Sequence, residues 1–265
     1  MIAPDFVARL HDVQIFYDLL ARLEVLLGGK RTLATAHGRM AWPERGVYFF
    51  FEPGEPRSTS GSGLRVVRVG THALNRRGRT TLWGRLRMHR GTIGGPRPGG
   101  GNHRKSVFRR HVGDALLARD DWPAAVAENW RSDPSASTRA REYPLERAVS
   151  RHIRNMPFLW IAVEDSPGRE SLRGYVERNA IALLSNYSPQ GTPIDPRSSD
   201  WLGRYAAGEE VRRSGLWNSQ HVKGSYHRDF LDALEQHIDL RHAPSPFPVN
   251  AGGYQNLPPP WNGGD

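Results

Sequence analysis

The sequence predicts a mixed α/β fold of the α+β kind, with a small central sheet of three short strands flanked by helices, an N-terminal helix and a helical C-terminal extension. Three observations point there. Two β-prone runs, Val47–Phe51 and Leu64–Val69, lie close together; a third, Phe158–Val163, is continuously apolar; and segments of helical periodicity surround them. At 265 residues the chain is long enough to bury a sizeable core.

Residues 5 to 27 carry Phe6, Leu10, Val13, Phe16, Tyr17, Leu20, Leu23 and Leu27 at three-to-four spacing, one stripe of an amphipathic helix that Gly28-Gly29 stops. The first two strands are joined by a Pro-, Gly- and Ser-rich connection from Pro53 to Gly63. Thr81 is placed to N-cap a helix from Leu82 to Arg90, which Gly91 ends before a glycine-rich loop to Gly101. Ser106–Leu117 and Pro123–Trp130 read as helical, as does the stretch from Thr138 to about Asn155, which Pro144 is placed to interrupt. The run at Phe158–Val163 suits a strand buried on both faces. A helix from about Arg169 to Ser185 follows, with Leu172, Val176, Ala180 and Leu183/Leu184 on one side.

After Asn186 loop signals alternate with short helical pieces, the last at Tyr226–Ile238, and Ser214–Asn218 reads as a surface loop. From His242 the chain is rich in Pro and Gly, as in a disordered tail. The expected organisation is an N-terminal helical cap at 1–40, a main domain at 41–190, a helical extension at 191–241 and the tail at 242–265.

Composition narrows the function. Cysteine is absent, which removes disulfides, zinc–thiolate sites and cysteine nucleophiles, and fits a reducing, cytoplasmic setting. Asp5, Asp12, Asp18, Arg22 and Glu24 interrupt any secretory or membrane-spanning segment near the start, so no membrane partner is expected. The net charge is +10, and of the 37 basic residues only Lys30, Lys105 and Lys223 are lysines. Between Leu64 and Arg119 fourteen basic residues face only Asp114, a net of about +13 on that stretch. A field of that kind suits a polyphosphate partner, since neutralising phosphates releases counterions. His72, His89, His103 and His111 match no compact zinc spacing. Lys105-Ser106 lacks the preceding glycine of a phosphate-binding loop, and Pro96 and Pro98 oppose such a cradle.

Five short matches fall in a telling order: Gly46-Val47-Tyr48, Arg68-Val69-Gly70, Arg85 with His89, Gly101-Asn102-His103, and Glu177 in a helical pattern. Together they resemble the active site of a GIY-YIG nuclease, of the restriction or homing kind, with Arg68 in place of the second motif's tyrosine. The resemblance runs from about Ala41 to Asn186 and implies an antiparallel sheet whose first two strands bear the two motifs. It implies hydrolysis of nucleic-acid phosphodiesters, with DNA the expected partner, RNA left open and a homodimer allowed for. Glu177 would hold one Mg²⁺ (or Mn²⁺) per active site, because that ion takes few protein oxygens and keeps its waters. Arg85 would clamp the charge that builds on phosphorus. Tyr48, His89 and His103 share the candidacy for the base that activates water. Arg68, His72, Arg104, Lys105, Arg109 and Arg110 would contact nucleic acid, with Gly46, Gly70 and Asn186 in support. Alternatives stay open: a binding module of the same fold that has lost catalysis, an RNA-directed nuclease, an ordinary core role for Tyr48, and a salt bridge from Glu177 to Arg173.

Overall fold

The computed structural model describes residues 4–75, 78–94, 99–132, 135–168, 170–188 and 191–239. The chain runs α1 (Pro4–Leu27), β1 (Arg31–Thr32), β2 (Gly46–Pro56), β3 (Leu64–Gly70), α2 (Leu82–Arg90), α3 (Val107–Arg119), α4 (Ala124–Ala127), α5 (Ala136–Arg154), β4 (Pro157–Ala162), α6 (Leu172–Leu184), α7 (Glu209–Ser214) and α8 (Asp229–Asp239). The expected tail, together with Arg76, Arg77 and Arg97, lies outside the described residues. No described helix is long and apolar enough to cross a membrane.

The α+β fold is as predicted, with one correction: the sheet has four strands rather than three, in the order β1-β4-β2-β3, all antiparallel. The addition is the two-residue edge strand β1, where Arg31 pairs with Phe158, too short to leave a period in the sequence. β2 is central, and alternation along it supplies two cores. Val47, Phe49 and Phe51 join Leu159 and Ile161 against α1, α6 and α8, while Tyr48 and Phe50 join Phe158 and Trp160 against α2, α3 and α5. Burial on both faces explains why Gly46–Phe51 is unbroken in apolar character after its glycine.

Helix α1 turns Val13, Phe16, Leu20 and Leu23 into the first core, each 2% exposed or less. Helix α5 runs unbroken through Pro144, because Leu145, Val149 and Ile153 beyond it are fully buried and hold the second half in register. Segment 214–218 is a second correction. Instead of a surface loop it is buried, and it covers the outer edge of β3. The Trp217 amide donates to the Val67 carbonyl (2.7 Å), and the Asn218 side chain satisfies both the amide and the carbonyl of Val69 (3.1 and 2.9 Å). An open strand edge is thereby closed.

Two glycines have steric work to do in the sheet. Gly70 sits opposite Tyr48, and a Cβ there would come within 2.4 Å of the phenol ring and its oxygen. At Gly46 a Cβ would meet the Ile161 carbonyl oxygen at 2.3 Å.

Candidate active site

The end of β3, the start of α2, the middle of α6 and the segment after Trp217 converge on a cavity of about 500 Å³ lined by Arg68, His72, Arg85, Arg110, Glu177 and Asn218, among others. β3 ends at Gly70, and Thr71 ties the turn down: its hydroxyl donates to the Gly46 carbonyl (2.8 Å), and its amide donates to Glu177 Oε1 (3.1 Å). Glu177 reaches this amide because α6 buries Val176, Ala180 and Ile181, leaving residue 177 on the flank toward the cavity. Burial pushes the Glu177 carboxyl above its ordinary pKa, opposed by the charge of Arg68, the Thr71 amide and the charge of Arg85.

Thr81 caps α2, its hydroxyl accepting from the Gly84 amide (3.1 Å). The buried stripe of this helix is Leu82, Leu86 and His89. Arg85, one turn before His89, lies beside the stripe and reaches the cavity, its Nη1 donating to the Lys105 carbonyl (3.3 Å). His89 itself is fully buried: Nε2 meets the Tyr48 hydroxyl at 2.8 Å and Nδ1 meets Ser106 Oγ at 2.8 Å. Burial first, then the charges of Arg85, Arg68 and Arg109, hold its pKa well below the ordinary histidine range, so the ring is neutral.

Arg68 occupies the place of the missing tyrosine. Its guanidinium lies beside the Tyr48 hydroxyl, packs over the Phe108 ring (5.2 Å) and donates from Nη1 to the Trp217 carbonyl (2.6 Å). Burial lowers its pKa, while Tyr48 and Glu177 work against that. Nε of Arg68 and Nε of Arg85 have no partner among the described residues, so two buried guanidinium donors remain unsatisfied at this site.

His72 donates Nδ1–H to the Thr80 carbonyl (2.6 Å), and its own carbonyl accepts from Arg173 Nη1 (2.6 Å). Arg173 is ion-paired with Asp165 rather than with Glu177. The alternative of a structural pair within α6 is therefore not the arrangement adopted.

Of the expected residues, Arg68, His72, Arg85, Arg110 and Glu177 meet at the cavity, and Tyr48 and His89 lie directly behind Arg68, each 0% exposed. The others lie elsewhere. His103 is stacked on Trp130, ring centroids 3.8 Å apart, with Nδ1 on Glu146 (3.0 Å). Arg109, expected to contact nucleic acid, is fully buried on the same Glu146. Arg104 makes a two-pronged pair with Glu142 (2.7 Å each). Asn186 closes a turn with Ile194. Lys105 is exposed, its carbonyl held by Arg85. Since Arg65 also pairs with Glu55 and Arg119 with Asp120, four arginines of the 64–119 stretch are paired, among the described residues, with carboxylates from outside it. Asn218, with Ser219, Gln220 and His221 at the cavity rim, had no signal in the sequence; only the pairing to β3 brings them there.

Among the described residues no group of three metal-ligating side chains occurs. The donor set instead offers one carboxylate with a second oxygen not engaged by Thr71, which fits a hard ion that keeps most of its waters.

The model of the GIY-YIG domain family matches residues 7–243, through α1 and α8 as well as the sheet. No curated protein and no solved structure gives a match. With the two name motifs on paired antiparallel strands, and the match spanning most of its length, the chain belongs to the GIY-YIG domain family, whose members are nucleases acting on nucleic acid.

Proposed function

We propose that the protein is a divalent-metal-dependent endonuclease that hydrolyses DNA phosphodiester bonds in the cavity bounded by Arg68, Arg85 and Glu177. The observation that carries this reading is the convergence of two incompletely bonded guanidinium groups and one carboxylate on a single concave surface. Guanidinium N–H donors without partners suit phosphate oxygens, and fixed donors stabilise the extra charge of a pentavalent phosphorus more than that of the ground state. Glu177 would hold one Mg²⁺ or Mn²⁺, which supplies Lewis-acid polarisation of the phosphate when bound. Tyr48, itself bonded to His89, holds Arg68 from behind, so the phenol of the first motif acts through the residue that replaces the second. Arg110 and Lys105 extend positive charge toward the flanking DNA. The chemistry in this reading sits on residues 41–190, and the 191–241 extension adds Asn218.

The test is cleavage of plasmid, single-stranded DNA and RNA with Mg²⁺ or Mn²⁺, run beside Glu177→Ala and Arg85→Ala. Cutting of DNA by the wild type and none by Glu177→Ala is expected. Equal cutting by Glu177→Ala removes the metal assignment, salt-sensitive binding without cleavage marks a non-catalytic module, and cutting of RNA alone changes the substrate.

A further inference from the structure

We propose that His72 Nε2 receives the proton of the attacking water, in place of Tyr48, His89 or His103. The proposal rests on the hydrolytic reading above and assigns the base that reading leaves open.

The geometry supports it by position and by bonding. A water that attacks a phosphate in the cavity needs an acceptor on the cavity wall. Tyr48 and His89 are 0% exposed, are bonded to each other at 2.8 Å and do not line the cavity; Arg68 does. His103 is stacked on Trp130 and bonded to Glu146. His221 stands on the exposed rim, whereas His72 is 5% exposed and lines the cavity together with Arg68, Arg85 and Glu177.

The tautomer follows from its neighbours. A carbonyl oxygen only accepts, so the Thr80 contact at 2.6 Å places the ring proton on Nδ1 and leaves the lone pair on Nε2. That nitrogen has no partner among the described residues. A buried acceptor left without a donor is unfavourable, a cost that a donor arriving with the substrate would relieve. A water O–H is such a donor, whereas the phosphodiester group itself offers only acceptors. Burial first, then the charges of Arg173, Arg85 and Arg45, outweigh the Thr80 bond and lower the pKa of His72 to about 4, so the ring stays unprotonated and its lone pair stays available.

The step balances without any further reactant. The water oxygen forms its bond to phosphorus as the bond from phosphorus to the departing sugar oxygen breaks. The water proton passes to Nε2, the sugar oxygen takes a proton from solvent, and His72 later returns its own to solvent.

The experiment is single-turnover cleavage of a labelled duplex with Mg²⁺ by wild type, Glu177→Ala, His72→Ala and His72→Gln. DNA affinity in Ca²⁺ and thermal melting are measured on each. Loss of a general base slows the reaction by about 100-fold or more. His72→Ala should show that loss with DNA affinity within about threefold of wild type, and added imidazole should restore part of the rate. His72→Gln, which fills the space without an imidazole, should stay slow and serves if the alanine variant melts early. Cleavage by His72→Ala or His72→Gln within about threefold of wild type overturns the proposal, as does a slow His72→Ala of native stability that imidazole does not rescue. If the wild type cuts and Glu177→Ala does not, either result counts against His72 alone. If the wild type does not cut any duplex, the hydrolytic reading fails and the assignment of His72 falls with it.

Discussion

Replacing Arg109 by methionine tests whether the basic stretch faces DNA or the protein's own interior. The guanidinium is fully buried and donates to Glu146 Oε2 (3.0 Å from Nε), the His89 carbonyl (2.8 Å), the Glu146 carbonyl (2.8 Å) and Ser150 Oγ (2.9 Å). Methionine fills much of the volume but leaves a carboxylate that is 3% exposed with His103 as its remaining partner. Removing one member of a buried ion pair costs about 3–5 kcal/mol, because the other charge stays behind without compensation. At about 2–4 °C per kcal/mol for a chain of this size, the melting temperature should fall by about 6–20 °C. The loss should depend on pH in a stated direction. Burial pushes the Glu146 carboxyl up, but the His103 hydrogen bond and the Arg109 charge outweigh it and hold the pKa below its ordinary 4.5. The pair's contribution is therefore complete above about pH 4.5 and fades as pH falls through the lower native value, so the wild type and variant should converge in acid. Urea unfolding between pH 3 and 7 measures this. A loss below about 1 kcal/mol at neutral pH would refute the burial argument. So would unchanged stability with a drop of about 0.9 in the salt slope of DNA binding, since that would place Arg109 on a phosphate.

Arg110, its exposed neighbour at the cavity, should behave in the opposite way: Arg110→Ala should leave the melting temperature within about 2 °C and reduce the salt slope of DNA affinity by about 0.9. Trp217→Ala should cost about 3–5 kcal/mol, measured by denaturant unfolding, because the indole is 0% exposed and donates to Glu52 (2.9 Å). Glu52 accepts from the indoles of Trp201 and Trp217 and meets His152 at 3.0 Å. Burial raises its pKa, but His152 and the indoles outweigh burial and hold it below the ordinary value. Its contribution should accordingly be present above about pH 4.5 and lost on acidification, and Glu52→Gln should flatten the acid limb of the stability curve.

The sequence made some of this legible and concealed the rest for physical reasons. Alternation and apolar runs located β2, β3 and β4, since burial of both sheet faces leaves a local signature. The spacing of Leu82, Leu86 and His89 held a finer signal: the histidine continues the apolar stripe, so it turns inward, while Arg85 stands beside the stripe and turns to the cavity. No such signal announces Glu146. Its partners His103 and Arg109 lie about four tens of residues earlier, and only the packing of α3 on α5 joins them. For the same reason a count of charges along 64–119 overstated the outward field, because the carboxylates that neutralise Arg65, Arg104 and Arg109 belong to other segments. Asn218 was hidden in a related way: its bonds are to the backbone of β3, which any sequence presents.

The contact between Gly70 and Tyr48 bears on how relatives of this chain should be read. The phenol occupies the space that a side chain at position 70 would need, so the two name motifs are halves of one steric fit across neighbouring strands. A lineage that enlarges position 70 while it keeps the tyrosine must displace a fully buried ring, and one that shrinks the tyrosine no longer needs the glycine. A related sequence that carries alanine or serine at the glycine should therefore also have lost the phenol, and with it the support behind Arg68. The identity of that single glycine becomes a marker of descent that separates relatives with the motif intact from those that keep only its outline.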